Sequence, residues 1–195
     1  DQPRSRGLGD VYKRQASGTA TAGGVQQTYA LTHTALLEGQ LSDIRDNTIG
    51  TYVNETGAVL AFGNGVSYNT GGTVANSAKT LAGSGESFLG VNVLTYVDET
   101  ALNANSRPGV KAAQVANVIN EGAVAVYVHG SVNPSTAVRV MHTASGVRYA
   151  GQFTAAAVPA CSARLTNARY LNAVTGSGLA ILELNGPSFT LTGDL

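Results

Sequence analysis

The fold class follows from residues 115–128, which read VANVINEGAVAVYV. From Ala123 to Val128, valines alternate with small or aromatic residues, so one face of the segment is apolar, as expected of a β-strand. The preceding run from Val115 to Ile119 is also apolar, and Asn120-Glu121-Gly122 supplies turn-forming residue types between the two runs. We therefore predict a β-hairpin here.

Short apolar runs of the same kind recur along the chain, separated by glycine and asparagine. They are Ala58 to Phe62, Phe88 to Val97, Ala137 to His142, Gly151 to Thr154 and Leu179 to Leu184. The second run is apolar on both faces, which predicts that both are at least partly covered. No helical pattern of ten or more residues separates the runs. We predict an all-β fold, a single jelly-roll-like β-sandwich or barrel with an extended N-terminal arm.

Three segments divide the chain. Residues 1–15 have a basic excess and no alternation; their last part resembles translated adapter sequence, and the alternative is a disordered basic arm. Residues 16–44 are predicted to be a flexible leader and arm, where Gly39 disfavours a helix by about 1 kcal/mol relative to alanine and leaves an extended arm or one helical turn. Residues 45–195 are predicted to form the β-sandwich, with surface loops at Thr70 to Gly85 and Asn103 to Gly109.

Composition excludes several partners. The formal net charge is zero, only 12% of residues are charged, and no basic cluster is interleaved with aromatics. We therefore expect no nucleic-acid binding. No apolar run approaches membrane-spanning length and no secretory signal is visible, so we expect a soluble protein made in a cytoplasm. The single cysteine, Cys161, has small neighbours and is predicted to be a buried small residue.

The chain shows no catalytic or cofactor motif. His33, His129 and His142 are scattered, and none has a neighbour at metal-ligand spacing. The acidic pair Asp98-Glu99 follows a predicted strand end and is explained by a solvated turn. Asn54-Glu55-Thr56 matches a glycosylation acceptor by chance, because no secretory signal accompanies it. We expect no catalytic residues, no metal, no cofactor and no enzymatic activity.

From about Tyr29 to Pro187, five motifs occur in an order that resembles the structural cement proteins of tailed-phage heads. They are Glu38 to Asp43, Val53 to Val66, Phe88 to Val93, Val124 to Val128 and Gly178 to Asn185. Each motif alone is common, since a glycine-bounded apolar strand is a frequent pattern, and their order over this length carries the resemblance.

The resemblance implies a jelly-roll-like sandwich that forms a dimer or trimer on the outside of a phage capsid. Such a protein binds the major capsid protein and ties neighbouring capsomers together against the pressure of the packaged genome. It is a virion component made in the cytoplasm of the bacterial host.

Capsid binding is expected to use exposed strand edges and the arm, through backbone pairing and apolar anchors. The candidate capsid-binding residues are Leu36, Leu37, Glu38, Gly39, Gln40 and Leu41. The alternative for these leucines is packing against their own domain.

Two other function classes remain open from the residues alone. One is a tail, fibre or surface β-module that binds carbohydrate or another virion protein, against which the low aromatic content of 6% and the lack of tryptophan count. The other is a small hydrolase, such as a trimeric β-barrel nucleotide pyrophosphatase, whose Asp and Arg/Ser boxes we do not find.

Overall fold

A computed structural model describes residues 36–43, 46–95, 102–103, 106–186 and 189–194. These residues belong to one compact unit, residues 35–195. They form thirteen strands and no helix. The strands are β1 (Thr48–Asn54), β2 (Leu60–Ala61), β3 (Gly65–Tyr68), β4 (Ser77–Thr80), β5 (Phe88–Asn92), β6 (Gly109–Val110), β7 (Val115–His129), β8 (Arg139–Met141), β9 (Phe153–Thr154), β10 (Ser162–Leu165), β11 (Ala168–Tyr170), β12 (Gly178–Asn185) and β13 (Leu191–Gly193).

The strand β7 is fifteen residues long and continuous, so the predicted hairpin is wrong. The residues expected to turn instead continue the pairing. Glu121 lies opposite both Thr48 of β1 and Asn185 of β12, and the carbonyl of Asn120 accepts a bond of 3.0 Å from the amide of Gly186. Asn120-Glu121-Gly122 thus marks a change of neighbour rather than a reversal of the chain.

The first half of β7 closes a ring of five strands. β7 pairs with β1, β1 with β4, β4 with β3, β3 with β5, and β5 again with β7. Four of these pairings are antiparallel and β1 with β4 is parallel. A closed ring leaves no edge strand among its members, which removes a site of uncontrolled pairing.

A first hydrophobic core belongs to this ring. Its fully buried members include Val66 on β3, Ala78 on β4 and Val118 on β7, and Leu60 of the short β2–β6 pair packs with them. Beside this cluster, Tyr52 meets a second tyrosine, Tyr68, in an edge-to-face contact with ring centroids 5.7 Å apart. Aromatic pairs prefer this geometry, so the two tyrosines pack as a unit at the border of the core.

The second half of β7 belongs to an open sheet in the order β11-β12-β7-β9-β8-β10-β13. Its core holds alternate valines of β7, together with Phe153, Leu182 and Tyr170. Members of the ring, such as Phe88 and Ile119, contribute to the same cluster. The open sheet therefore packs on the ring, and β7 is common to both.

The all-β prediction is confirmed, while this strand order does not confirm its jelly-roll form. Strands lie within each predicted run, and every residue of β5 is buried, as its two apolar faces predicted. Since the described residues include no helix, none of them forms an apolar helix long enough to cross a membrane.

Two predictions about individual segments are wrong. The stretch Thr70 to Gly85 is not all surface loop, because it contains β4, in which Ser77 and Ala78 are buried. The stretch was predicted to be a loop because its residues are small and polar, and β4 itself has few large apolar side chains. Cys161 is a free thiol that is partly exposed, not buried, because it lies in the turn that precedes β10.

Gly90 sets the spacing between β5 and β7. Its φ is 153°, and a Cβ there would lie 2.1 Å from the carbonyl oxygen of Ile119. We expect Gly90→Ala to lower the free energy of unfolding by about 2–3 kcal/mol, because β5 must move away from β7. Gly85→Ala is the matched control, since a Cβ there meets no atom within 4 Å. Urea denaturation measures the free energy of unfolding of both variants. Equal losses of stability in the two would contradict the close approach of β5 to β7 at Gly90.

Glu86 bonds to side chains of both β3 and β4 and so stabilises this strand pair of the ring. Its carboxylate accepts bonds from Lys79 Nζ at 2.6 Å, Ser67 Oγ at 2.8 Å and the Ala82 amide at 2.9 Å. Burial by itself would raise the pKa of Glu86, but these three donors outweigh it and the pKa is lowered. The ionised form is therefore the one that the fold favours.

This carboxylate makes stability depend on pH. Because the pKa is lower in the folded than in the unfolded chain, its contribution is complete above the unfolded pKa and is lost as the pH falls through the folded one. We expect Glu86→Gln to lower the free energy of unfolding by about 1 kcal/mol at about pH 7 and by much less at about pH 3. Urea titrations of both proteins at the two pH values measure the free energy of unfolding. A difference between wild type and variant that is equal at the two pH values would contradict this role of Glu86.

Candidate binding surface

The arm segment, residues 36–43, is joined to β7 of the open sheet by backbone hydrogen bonds and by one isolated bridge, between Leu41 and Val124. The Gly39 amide donates to Ala125 O at 2.8 Å, the Ala125 amide donates to Gln40 O at 2.8 Å, and the Ser42 amide donates to Ala123 O at 3.1 Å. A tight turn precedes this pairing, with the Gln40 amide donating to Leu37 O at 3.0 Å. The sequence left open an extended arm or a helical turn, and the described residues of the arm contain no helix but a tight turn at Glu38-Gly39 followed by a bridge at Leu41.

Gly39 is the residue that lets the segment approach so closely. Its φ is +78°, and a Cβ there would lie 2.8 Å from Leu94 N and 2.9 Å from both Asn92 O and Gly63 N. The carbonyl of Gly39 also accepts a bond of 2.8 Å from the Leu94 amide. Gly39, which disfavours a helix in the sequence, is therefore hydrogen-bonded both to the residues after β5 and to the middle of β7. No larger residue fits at this position.

The leucines of the candidate segment have different surroundings. Leu41 lies opposite Val124 and packs, partly buried, against the core of the open sheet. Leu36 is partly exposed, whereas the side chain of Leu37 is 61% exposed. Leu41 therefore packs against the protein's own domain, which was the alternative to capsid binding for these leucines. Leu37 instead points into the solvent.

A polar network connects the arm segment to the loop before β6, the turn between β2 and β3, and the hairpin between β8 and β9. The carboxylate of Glu38 forms an ion pair with Arg107, and Arg107 Nη1 donates to Asn64 Oδ1 at 2.9 Å. The buried amide of Asn64 in turn donates to the carbonyl of Ala150 at 3.2 Å. Burial lowers the pKa of Arg107, an effect that nearby Tyr127 opposes. The network fixes the arm, the loop before β6 and the hairpin between β8 and β9 relative to one another.

Large exposed apolar side chains occur on the same segments as this network. Leu37 is adjacent to Glu38, Leu102 lies opposite Pro108 next to Arg107, and Tyr149 is adjacent to Ala150. Val147 projects from the hairpin turn and is 74% exposed, more than any other large apolar side chain of the described residues. We name the network, together with these four exposed side chains, the Arg107 surface.

A cleft of about 230 Å³ opens on the Arg107 surface. Aliphatic side chains from the β2–β3 region, including Val59 and Leu60, line one side of it, and Ala144 and Tyr149 of the hairpin line another. Asn64 belongs to the wall as well. Among the described residues that line the cleft none is charged, and three, Asn64, Thr80 and Asn103, are polar.

Sequence reasoning found only part of this surface. It singled out residues 36–41, because they form a recognisable motif, but it missed Asn64, Arg107 and the hairpin tip. Arg107 and Asn64 are 43 positions apart, and no local pattern indicates that they meet. The one signal was the glycine pair around Asn64, which permits the tight turn that aims its amide inward.

The residues considered for chemistry are otherwise engaged or lie outside the described part. His129 Nε2 lies 2.8 Å from the Gln152 side-chain oxygen, and His142 Nδ1 lies 3.0 Å from the Thr143 hydroxyl. His33 and Asp98-Glu99 lie outside the described residues. Within the described ranges, no group of three or more His, Cys, Asp or Glu side chains is placed to hold a metal ion.

Asn54 has a structural role that accounts for its motif. It is fully buried, and its amide donates to Ala58 O at 2.8 Å and Val110 O at 2.9 Å, while its side-chain oxygen accepts from the Thr56 amide and hydroxyl. A side chain held this way inside the fold cannot carry a glycan. The acceptor match is therefore a turn that closes the end of β1.

The family model of structural cement proteins (E217 gp24/Pam3 gp6) matches residues 25–185. The chain belongs to this family. Membership gives the protein a structural role in the phage virion and associates it with the capsid. No curated protein matches the chain.

A solved structure agrees on the fold of this cement-family protein. A chain in the capsid of Myoviridae phage XM1 is 17% identical to it, with a TM-score of 0.59. The match covers 83% of this chain and 97% of that one. At this identity the likeness establishes a shared fold.

The ion pair of Arg107 should hold the arm in place. We expect Arg107→Met to lower the free energy of unfolding by about 2 kcal/mol, because it leaves the Glu38 carboxylate and Asn64 Oδ1 without their donor. Hydrogen exchange at the Gly39 and Ser42 amides should accelerate in the same variant.

Arg164→Met is the control for this substitution, since Arg164 is exposed on β10. Urea denaturation and amide exchange should show little change in the control. Unchanged exchange at the arm amides of the Arg107 variant would show that backbone pairing alone holds the segment.

Proposed function

We propose that this protein binds the outer surface of a phage capsid and cements neighbouring capsomers against the outward pressure of the packaged genome. Its partner is the major capsid protein, and it is made in the cytoplasm of the bacterial host. The observation that carries the proposal is the match of the structural cement family to residues 25–185. The likeness to a chain in the phage XM1 capsid supports it at the level of the fold.

The physical basis of cementing is preferential binding to the assembled shell. A protein that contacts two or more capsid subunits at once binds the shell more tightly than it binds separated subunits, because later contacts are intramolecular. Binding to one state only stabilises that state by mass action, by about 2.7 kcal/mol when the free concentration is a hundred times the dissociation constant. This activity needs shape and rigidity, and no bond-breaking chemistry.

The arm segment from Leu36 to Leu41 is the proposed capsid contact. Gly39 and Leu41 fasten it to β5 and β7, which leaves Leu37 as the outward anchor. A side chain presented by an ordered segment loses less conformational entropy on binding than one on a flexible tail. The segment can therefore present Leu37 to a capsid subunit without first having to become ordered.

Strand edges offer a second mode of contact. β11 and β13 stand at the two ends of the open sheet in the described part of the chain. Thr192 and Gly193 of β13 are exposed, so a strand of a capsid subunit or of a second copy could pair there. Self-association into a dimer or trimer would fit the net charge of zero, since mutual repulsion is weak.

Co-sedimentation with capsids of its own phage tests the proposal. We expect the wild-type protein to pellet with mature capsids and to raise their melting temperature, because it binds the assembled state selectively. Leu37→Asp should weaken binding roughly tenfold or more, since it places a charge in an apolar contact.

Val74→Asp is the matched control, because Val74 is 44% exposed on the loop before β4 and is not part of the arm segment. It should bind capsids like the wild type. Absence of the wild-type protein from the capsid pellet would overturn the proposed function, and full binding by Leu37→Asp would overturn the role of the arm.

A further inference from the structure

Polar side chains form a row across β8, β10 and β13. Arg139 of β8 lies directly opposite Arg164 of β10, and Arg164 lies opposite Thr192 of β13. Residues opposite one another in a sheet share a face, and the neighbours of Arg164 along β10, Ala163 and Leu165, are buried on the other face. The row therefore lies on the side of the open sheet that faces away from the core.

The two arginines of this row share one carboxylate. Asp194, directly after β13, accepts a hydrogen bond from Ser162 Oγ, and its other oxygen lies 3.3 Å from Arg139 Nε. Arg164 is exposed and forms no ion pair with any residue that the structure describes. Like charges directly opposite one another destabilise a strand pair. Arg164 is thus a cation that a carboxylate from outside the chain would neutralise.

Arg139 shows how far an arginine reaches on this face. It lies on β8, whereas the amide of Asp194 bonds to the carbonyl of Ser162 on the far side of β10, at 3.1 Å. The ion pair of Arg139 and Asp194 therefore passes over the whole of β10. A residue opposite Thr192 on a strand added to β13 would lie the same two strand spacings, about 10 Å, from Arg164. An acidic side chain there would meet Arg164 as Asp194 meets Arg139.

The free side of β13 is able to receive such a strand. In the described part of the chain, β13 is the last strand of the open sheet. The carbonyl of Thr190 and the amide of Asp194 bond to β10, so alternation directs the backbone groups of Leu191 and Gly193 to the free side. The strand itself contains none of the charged side chains or prolines that protect edge strands from pairing.

The edge strands of a second copy do not provide the missing carboxylate. The middle residue of β11 is Arg169, which would bring another cation beside Arg164. A second β13 paired symmetrically at Thr192 would place a threonine there, and the carboxylate beside it, Asp194, is already bound to Arg139 and Ser162. The complementary strand therefore belongs to a different protein.

We propose that β13 pairs with an extended segment of the capsid partner, and that an aspartate or glutamate of this segment faces Thr192 and binds Arg164. The inference rests on the proposed function, which supplies the partner, and adds the place and the chemistry of one contact. Backbone bonds to Leu191 and Gly193 would provide affinity for any extended segment. The ion pair would select a segment with an acidic residue in one register.

Arg164→Gln tests the ion pair. We expect it to weaken binding to capsids of the protein's own phage roughly fivefold or more in equilibrium co-sedimentation, because the carboxylate of the partner loses its counter-charge. Arg169→Gln is the matched control, since Arg169 is exposed as well but bonds to Glu183 of its own chain. It should bind like the wild type. Equal losses in the two variants would indicate a general effect of charge and overturn the inference.

Gly193→Pro tests the backbone pairing. Proline removes an amide that points to the free side and places a ring at the edge, so capsid binding should weaken roughly tenfold or more. The pairing of β13 with β10 uses the neighbouring residues and should persist. A Cβ at this position would lie 3.3 Å from Ser84 Oγ, a side chain on a loop, so the melting temperature of the free variant should fall by only a few degrees.

Salt provides an independent measurement of the ionic contact. Wild-type affinity should fall about threefold or more between 0.1 and 0.5 M NaCl, and the affinity of Arg164→Gln should fall less. The same salt dependence in both proteins would overturn the role of Arg164.

The remaining outcomes separate this inference from the proposed function. Wild-type binding together with undiminished binding by Arg164→Gln or by Gly193→Pro overturns the inference and leaves the function standing. A lower molar mass of the free protein in Gly193→Pro, measured by light scattering, would identify a second copy as the occupant of β13 and overturn the inference as well. Failure of the wild type itself to bind capsids overturns both.

Discussion

Hydrogen bonding along both edges of β7 is the constraint on which the rest of the structure depends. Backbone groups in a buried strand must be paired, and successive residues point to opposite edges. One edge of β7 pairs first with β1 and then with β12. The carbonyls on the other edge, at Asn117, Ala123, Ala125 and His129, accept bonds from the end of β5, the arm and the end of β9. Ring, open sheet and arm are therefore held by one strand.

This arrangement explains why the arm is part of the body. The arm segment occupies the stretch of β7 between β5 and β9, so it satisfies the amide of Ala125 and the carbonyls of Ala123 and Ala125, and Leu41 adds apolar burial beside Val124. These contacts hold the arm in place, and Leu37 remains exposed.

The prediction from sequence succeeded where the signal was local. Alternating apolar residues placed strands in β5, β7 and β12. It failed where a local signal was misleading or absent. Asn120-Glu121-Gly122 has the composition of a turn, yet pairing on both sides keeps it extended. Residues Ser77 and Ala78 lack the large apolar side chains by which a strand is recognised in a sequence. They are buried only because neighbouring strands of the ring cover them.

The sequence by itself determined the all-β class, the strands within the apolar runs and the arm motif, because backbone preference and alternation are properties of neighbouring residues. The tertiary structure alone decided that the strands close a ring and share β7, and that Arg107 meets Glu38 and Asn64. Those contacts join residues 43 and more positions apart, whose meeting depends on the register of several strands at once. For the same reason the arm motif was visible in the sequence, whereas the surface built around Arg107 was not.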